Sequence, residues 1–265
     1  MTDAVLTHRD GPVAYITLNR ADRHNAFDDA LIAALTNAFE KAGADDGVRA
    51  VVLAASGPSF SAGADLGWMK RMAGYSQDEN LRDARALARL MRTIDRCPKP
   101  VVAAVQGAAY GGGVGLVAAC DIAIAADNAG FCLSEVKLGL IPAVISPYVV
   151  AAIGERASRR YFLTAERFAA DEAHRLGLVH QVVVADGLAA AVADTLARLA
   201  EGGPAAQAAA KELIAGVTHP EPGVDVLDWT AQRIAAVRAS DEGREGVGAF
   251  LEKRKPRWRM PGAEG

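Results

Sequence analysis

The stretch KPVVAAVQGAAYGGGVGLVAACD, residues 99–121, decides the fold. It begins with a strand-like apolar run and continues through three consecutive glycines, Gly111 to Gly113, into an apolar helix-like run. Uninterrupted small and branched apolar residues are typical of a strand buried on both faces. Glycine permits a sharp turn in which another group reaches the main chain, and the first N–H groups of a helix have no partner within the helix. The stretch therefore predicts a strand, a turn with accessible N–H groups, and a helix.

Strands and helices alternate around this stretch. VAYITL (Val13 to Leu18) and VRAVVLAAS (Val48 to Ser56) have strand-like patterns, and DDALIAALTNAFEKA between them has apolar residues at helical spacing. A further helix is predicted from about Asp78 to Arg96, and CDIAIAA is predicted as another buried strand. Such alternation indicates an α/β protein.

The C-terminal part of the chain has a different pattern. From about Asp186 onward no strong strand is predicted, and GLAAAVADTLARLAEG, PAAQAAAKELIAGV and VLDWTAQRIAAVRAS are predicted as three amphipathic helices. We therefore divide the chain into a core, residues 1–200, and a helical C-terminal region, residues 201–265. The short basic run EKRKPRWRM is interpreted as a solvated end.

Composition excludes several classes of function. The 265 residues are 51% apolar and 23% charged, which is typical of a globular protein of one or two domains. A net charge of −3 provides no basic field for nucleic acid or anionic lipid. We find neither a leader-like start nor a long apolar span, so a cytoplasmic protein without membrane contact is expected. Three cysteines without metal-ligand spacing are expected to be reduced and buried, and no metal site is expected.

A second glycine turn resembles the first. SGPSFSAGADLGWM, Ser56 to Met69, again follows a buried strand and places small residues before a turn of helix. Each turn could contribute one backbone N–H to a single carbonyl oxygen, which would be an oxyanion hole. Close packing of helix against strand is the alternative reason for the glycines. The G-x-G-x-x-G phosphate motif does not fit, because Leu116 occupies its last position.

The combined motifs resemble the crotonase family, also called the enoyl-CoA hydratase/isomerase family. The resemblance runs from about residue 10 to 260 and rests on LNRADRHNAF, FSAGADL, the stretch quoted first, FCLSEVKLGLIPA and ERFAADEAHRLGLVHQVV. It implies a spiral of ββα units and an acyl-CoA thioester ligand, with no cofactor beyond the coenzyme A of the substrate. It also implies a helical C-terminal region that mediates assembly into a homotrimer or a dimer of trimers.

The resemblance also implies site residues. The two N–H donors to the thioester oxygen fall on Ala64 and Gly112, and a catalytic glutamate falls on Glu135, whose apolar neighbours would raise its pKa. Contacts with substrate are expected from the residues that match or border the family's positions: His24, Ala26, Ala62, Asp65, Leu66, Tyr110 and Gly111. Tyr110 can equally be interpreted as a core aromatic residue.

One departure from the family pattern leaves the reaction open. Typical hydratases of the family use two glutamates, and the first position is Gly115 here, which cannot transfer a proton. The double-bond isomerases of the family use only the second position, so isomerisation by Glu135 alone is one alternative. The segment from Phe131 onward resembles bacterial 3-methylglutaconyl-CoA hydratases of leucine breakdown and their relatives in acyclic terpene breakdown. That resemblance implies hydration of a branched, carboxylated enoyl-CoA, with Glu135 handling both proton transfers.

A non-catalytic role is the remaining alternative. Some members of the superfamily bind RNA through a basic helix, and a weakened member could bind acyl-CoA without turning it over. The acidic net charge and the lack of a long Lys/Arg helix argue against RNA binding.

Overall fold

The computed structural model describes residues 3–218 and 220–259. The chain divides into two compact units. The first comprises Met1–Cys97 and Val101–Val192, and the second comprises Pro98–Pro100 and Ala193–Gly265. The different functions predicted for residues 1–200 and 201–265 stay a prediction.

The first unit contains every strand of the described residues. The strands are β1 (Val5–Asp10), β2 (Val13–Leu18), β3 (Ala50–Ala55), β4 (Ser59–Ser61), β5 (Val101–Val105), β6 (Ala108–Tyr110), β7 (Ile122–Ala126), β8 (Gly130–Cys132), β9 (Phe168–Ala169) and β10 (Gln181–Val183). Its helices are α1 (Asp29–Ala44), α2 (Leu66–Met72), α3 (Gln77–Asp95), α4 (Gly112–Ala119), α5 (Ser146–Thr164) and α6 (Ala170–Leu176). A seventh helix, α7 (Leu188–Glu201), begins in this unit.

A six-stranded sheet forms the core of this unit, in the order β1-β2-β3-β5-β7-β10. All neighbours are parallel except the edge pair β1 and β2. The central strand β5 is buried along its whole length, as its uninterrupted apolar sequence predicts. The predicted α/β class and the long helix from about Asp78 are confirmed.

A smaller sheet positions the candidate site. It has the order β4-β6-β8-β9, and its first three strands are parallel. Three successive strand pairs, β3/β4, β5/β6 and β7/β8, each place their first strand in the large sheet and their second in the small one. This is the predicted ββα arrangement. Because parallel strands end at the same edge of a sheet, the segments after β4, β6 and β8 become neighbours.

The second unit contains the rest of α7 together with α8 (Pro204–Thr218), α9 (Val226–Ala239) and α10 (Asp241–Leu251). The three helices predicted in this region are confirmed, but α10 was not predicted because its three glycines weaken the helical pattern. Its start is fixed by the Ser240 hydroxyl, which accepts a hydrogen bond from the Gly243 N–H at 3.0 Å.

The basic run at the end of the described residues is mostly exposed to solvent, as interpreted, but two of its arginines form ion pairs with α10. Arg254 and Arg257 both pair with Glu245, at 2.7 and 3.3 Å. Hydrogen bonds from Arg254, then from the Arg257 N–H, lower the pKa of Glu245 to about 2. The run therefore holds the last described residues to α10.

Two further predictions concern the chain as a whole. Cys97, Cys120 and Cys132 are reduced and buried, which confirms the expected thiols. Within residues 3–218 and 220–259, the helices are too short or too polar to cross a membrane.

Candidate active site

The first glycine turn connects β6 to α4. Gly111 has φ +51° and ψ −118°, a conformation that requires glycine, and its N–H donates to the Cys132 carbonyl at 2.8 Å. In the described part of the chain, the N–H groups of Gly112 and Gly113 at the start of α4 meet no acceptor. They are unpaired donors at the positive end of a helix dipole.

The second glycine turn follows β4 and is held by a short parallel pairing with Phe27. The Gly63 carbonyl accepts from the Phe27 N–H at 2.7 Å, and the Asp65 N–H donates to the Phe27 carbonyl at 2.8 Å. Ala64 lies between these bonds, is exposed, and has an N–H that finds no acceptor among the residues the structure describes. Gly63 has φ +93°, which explains the need for glycine there.

The two turns lie next to each other because β4 and β6 pair in parallel. A Cβ atom added to Gly63 would lie 3.4 Å from the Tyr110 carbonyl oxygen, and one added to Gly111 would lie 3.9 Å from the Gly63 Cα. The predicted donors, the N–H groups of Ala64 and Gly112, therefore belong to touching turns. That both bind one carbonyl oxygen stays a prediction.

The carboxyl group of Glu135 borders the first turn. Glu135 opens a 3-10 turn (Glu135–Leu138) after β8, and a Cβ atom on Gly111 would lie 3.1 Å from its Oε1. Its Oε2 is buried and has no hydrogen-bond partner in the described structure. Burial raises the pKa of Glu135 above its ordinary value. A buried carboxyl group with a raised pKa takes up a proton more readily than an ordinary glutamate, which suits it to acid and base catalysis.

Asp65 has a structural role that the sequence did not predict. It caps α2 by accepting hydrogen bonds from the N–H groups of Gly67 and Trp68, and it pairs with Arg20 and Arg23 at 3.1 Å each. The residue is only 7% exposed. Burial by itself would raise the pKa of Asp65, but the hydrogen bonds and the arginines together lower it. An aspartate directly before a helix pattern is the sequence feature that predicts such a cap.

Three other predicted contacts lie in the second turn and in the segment that holds it. His24 is exposed, its Nδ1 lies 3.0 Å from the Ser59 hydroxyl, and its carbonyl accepts from the Ala62 N–H at 2.9 Å. Ala62 is exposed, whereas Ala26 is 7% exposed. A ligand contact by any of the three stays a prediction.

Leu66 and Tyr110 flank the two turns. Leu66 is 75% exposed at the start of α2. Tyr110 is half-buried, and the guanidinium group of Arg167 stacks over its ring at 5.2 Å from the ring centroid. Tyr110 lies at the carboxyl end of β6 in the small sheet. This position is compatible with either predicted role of its side chain, lining a pocket or packing in the core.

Gly115 lies one helical turn beyond Gly111, and the space beside it is filled. A Cβ atom there would overlap the Cγ2 of Ile145, lie 2.8 Å from the Ile145 Cβ, and lie 3.4 Å from the Met91 Cε. A glutamate at position 115 would therefore have no room for its side chain, because Ile145 occupies the space beside this position. Nothing in the sequence around Ile145 predicted this contact.

Two unpaired N–H groups on touching turns beside a buried carboxyl group define a class of enzyme site. Such a site can stabilise negative charge on a carbonyl oxygen and transfer a proton near it. The enoyl-CoA hydratase/isomerase family profile matches residues 8–261, and the chain belongs to this family. The crotonase fold predicted from the motifs is thereby confirmed, and the protein is an enzyme of the hydratase type.

Relatives match over nearly the full chain. A solved enoyl-CoA hydratase from Shewanella pealeana has 46% identity and a TM-score of 0.93, covering 97% of this chain and 96% of its own. The 1,2-epoxyphenylacetyl-CoA isomerase of Escherichia coli is 33% identical over 97% of this chain and 99% of its own. The 2,3-dehydroadipyl-CoA hydratase of Escherichia coli is 31% identical over 95% and 97%.

Proposed function

We propose that the protein hydrates an enoyl-CoA thioester whose acyl group is branched and carboxylated, such as 3-methylglutaconyl-CoA. The observation that carries the proposal is the unpartnered, buried Glu135 carboxyl group beside two unpaired N–H groups. The substrate class is supported by the sequence resemblance described above. It is also supported by a relative named 2,3-dehydroadipyl-CoA hydratase, because the acyl group of the substrate in that name likewise bears a free carboxylate.

The proposed reaction begins at the thioester oxygen. The N–H groups of Ala64 and Gly112 hold this oxygen and polarise the conjugated double bond, which makes the β-carbon electrophilic. The Glu135 carboxylate takes a proton from a water molecule as the water oxygen bonds to the β-carbon. The electron pair of the carbon–carbon double bond forms a new double bond between the α-carbon and the carbonyl carbon, and the π pair of the carbonyl group moves to the thioester oxygen. There each N–H donor contributes about 3 kcal/mol of transition-state stabilisation.

The second half of the reaction returns the proton. The enolate collapses, and the protonated Glu135 delivers its proton to the α-carbon, so that the net change is the addition of one water. Glu135 acts first as base and then as acid. No cofactor beyond the coenzyme A of the substrate is needed.

Double-bond isomerisation is a second candidate, and the Gly115 position favours it. Because Ile145 fills that place, Glu135 has no second carboxyl group to share the work. Moving a proton from one carbon to another needs only one such group. One of the relatives is itself named an isomerase, although its substrate is an epoxide.

The proposed enzyme is a cytoplasmic homotrimer or dimer of trimers. Support comes from large apolar side chains that the second unit exposes: Ile214, Leu227, Val247, Phe250 and Leu251. Exposed apolar groups of this size mark surfaces that another copy of the chain can cover.

Steady-state kinetics with three thioesters test the reaction. Wild type and Glu135→Gln are compared on 3-methylglutaconyl-CoA, crotonyl-CoA and a 3-enoyl-CoA. Glu155→Gln is the control, because Glu155 is exposed and pairs with Arg159 at 2.8 Å on the surface. We expect hydration of the branched acid that falls about a hundred- to ten-thousand-fold in Glu135→Gln alone. Turnover of the 3-enoyl ester only would establish the isomerase. Binding of all three without turnover would contradict both reactions.

A further inference from the structure

Ile145 lies one helical turn further along α4 than Glu135. Glu135 borders Gly111, and Ile145 borders Gly115, one turn later. The Gly115 N–H is 3.3 Å from the Gly111 carbonyl oxygen, so the two positions are stacked along the helix axis. Gly111 is the N-cap residue of α4, so Glu135 lies at the start of the helix and Ile145 lies one turn further along it. The two side chains therefore follow each other along α4, beginning at the predicted oxyanion hole.

The direction of a side chain at position 115 strengthens this placement. A Cα–Cβ bond in a helix tilts toward the N-terminus, which here is the end that carries Gly112. The Ile145 methyl group occupies the place of that Cβ atom, with the Met91 Cε 3.4 Å from the same point. Ile145 is 2% exposed and Met91 is fully buried. The wall beyond Glu135 is consequently apolar and closed.

The thioester geometry determines what this wall meets. In the proposed placement, the thioester oxygen accepts from the Ala64 and Gly112 N–H groups, and the reacting carbons lie beside Glu135. The next side chain that the acyl chain meets along α4 is then Ile145. We infer that Ile145 is a specificity-determining residue, which limits the length of the apolar substituent that the site accepts beyond the reacting carbons. This inference rests on the proposed placement of the thioester.

Truncation of Ile145 tests the inference. Ile145→Ala and Ile145→Val are compared with Ile153→Ala, a buried isoleucine on α5 that is not among the atoms nearest position 115. We expect Ile145→Ala to raise kcat/KM for trans-2-octenoyl-CoA relative to crotonyl-CoA by roughly ten- to two-hundredfold, which is the range for filling a hydrophobic pocket. Ile145→Val should shift the ratio in the same direction by less, and Ile153→Ala should leave it unchanged.

Binding measurements separate this inference from the proposed reaction. The ratio of the dissociation constants of octanoyl-CoA and butyryl-CoA, which cannot react, should fall in Ile145→Ala by a similar factor. If wild type hydrates no enoyl-CoA but this ratio shifts, the reaction is wrong and the role of Ile145 stands. An unchanged binding ratio in both Ile145 variants overturns it. If Ile145→Ala does not fold, the Ile145→Val ratio decides.

Discussion

At the scale of single residues, Glu135 is held in a state that costs the fold stability. Burial raises its pKa above the ordinary 4.5, so the folded protein binds this proton more tightly than the unfolded chain does. The resulting contribution to stability is fully present below the ordinary pKa and is lost as pH rises through the raised value. The group is thus least compatible with its surroundings in the carboxylate form that takes the proton from water.

This linkage predicts a pH-dependent effect of Glu135→Gln. The amide does not titrate, so the unfolding free energy of the variant relative to wild type should rise as pH increases from below 4.5 to neutral. Urea unfolding at several pH values measures it. In wild type, kcat/KM should fall as pH drops through the raised pKa, because the base must start unprotonated. If the unfolding free energy of the variant minus that of wild type falls as pH rises, the burial argument is contradicted.

Gly111 provides a second test at the same scale. An alanine there must adopt φ +51° and ψ −118° and would place its Cβ 3.1 Å from the Glu135 Oε1. We expect Gly111→Ala to lower the unfolding free energy by about 1–3 kcal/mol and kcat by about a hundredfold, as the Gly112 N–H moves out of line. Gly130→Ala is the matched control, because a Cβ at Gly130 meets no atom within 4 Å. Equal kcat values for the two variants would argue against a donor at Gly112.

At the scale of elements, the sequence predicted the long strands and helices better than the short strands that build the site. The apolar run of β5 and the helical spacing of α3 are strong local patterns, and both elements were predicted. β4, β6 and β8 have three residues each, too few for a period to be recognised, and they form through pairing with one another. The contact between Ile145 and Gly115 likewise depends on how α4 packs against the start of α5. The local sequence of either helix does not predict this packing.

Resemblance supplied what periodicity could not. The positions of Ala64, Gly112 and Glu135 followed from motifs, and the structure places all three segments at one edge of the small sheet. The ion pairs of Asp65 and the contact of Ile145 with Gly115 were missed, because each depends on partners distant in sequence. The distant partners of Asp65 are Arg20 and Arg23, and these ion pairs hold the segment after β2 against the second turn.

The Asp65 cluster is an element-scale prediction. Asp65→Asn keeps the shape but removes a buried charge that pairs with two arginines, so we expect about 3 kcal/mol lower unfolding free energy. Because hydrogen bonds and arginines lower the pKa of Asp65, its contribution in wild type should be lost as pH falls through that lowered value. Denaturant unfolding measures both effects. Glu155→Gln, at an exposed ion pair, should change stability by under about 0.5 kcal/mol. Equal losses in the two variants would show that the cluster is no stronger than a surface pair.

At the scale of the whole molecule, the apolar surface of the second unit is the feature that the chain alone does not explain. Leu227 is 82% exposed and Phe250 is 83% exposed. Leaving such side chains in water forfeits about 1.5–3 kcal/mol each relative to burying them. Contact with further copies of the chain would recover this free energy, in agreement with the trimer that the family resemblance implies.

Light scattering tests this assembly. Wild type should have a mass of three or six times 27.6 kDa. The double variant Leu227→Asp/Phe250→Asp should dissociate to monomer at micromolar concentration, because a buried carboxylate without a partner costs several kcal/mol at each copy of the interface. Leu163→Asp, 74% exposed on α5 of the first unit, should keep the wild-type mass. If the double variant keeps the wild-type mass while Leu163→Asp dissociates, the assembly runs through the first unit, and the predicted role of residues 201–265 is wrong.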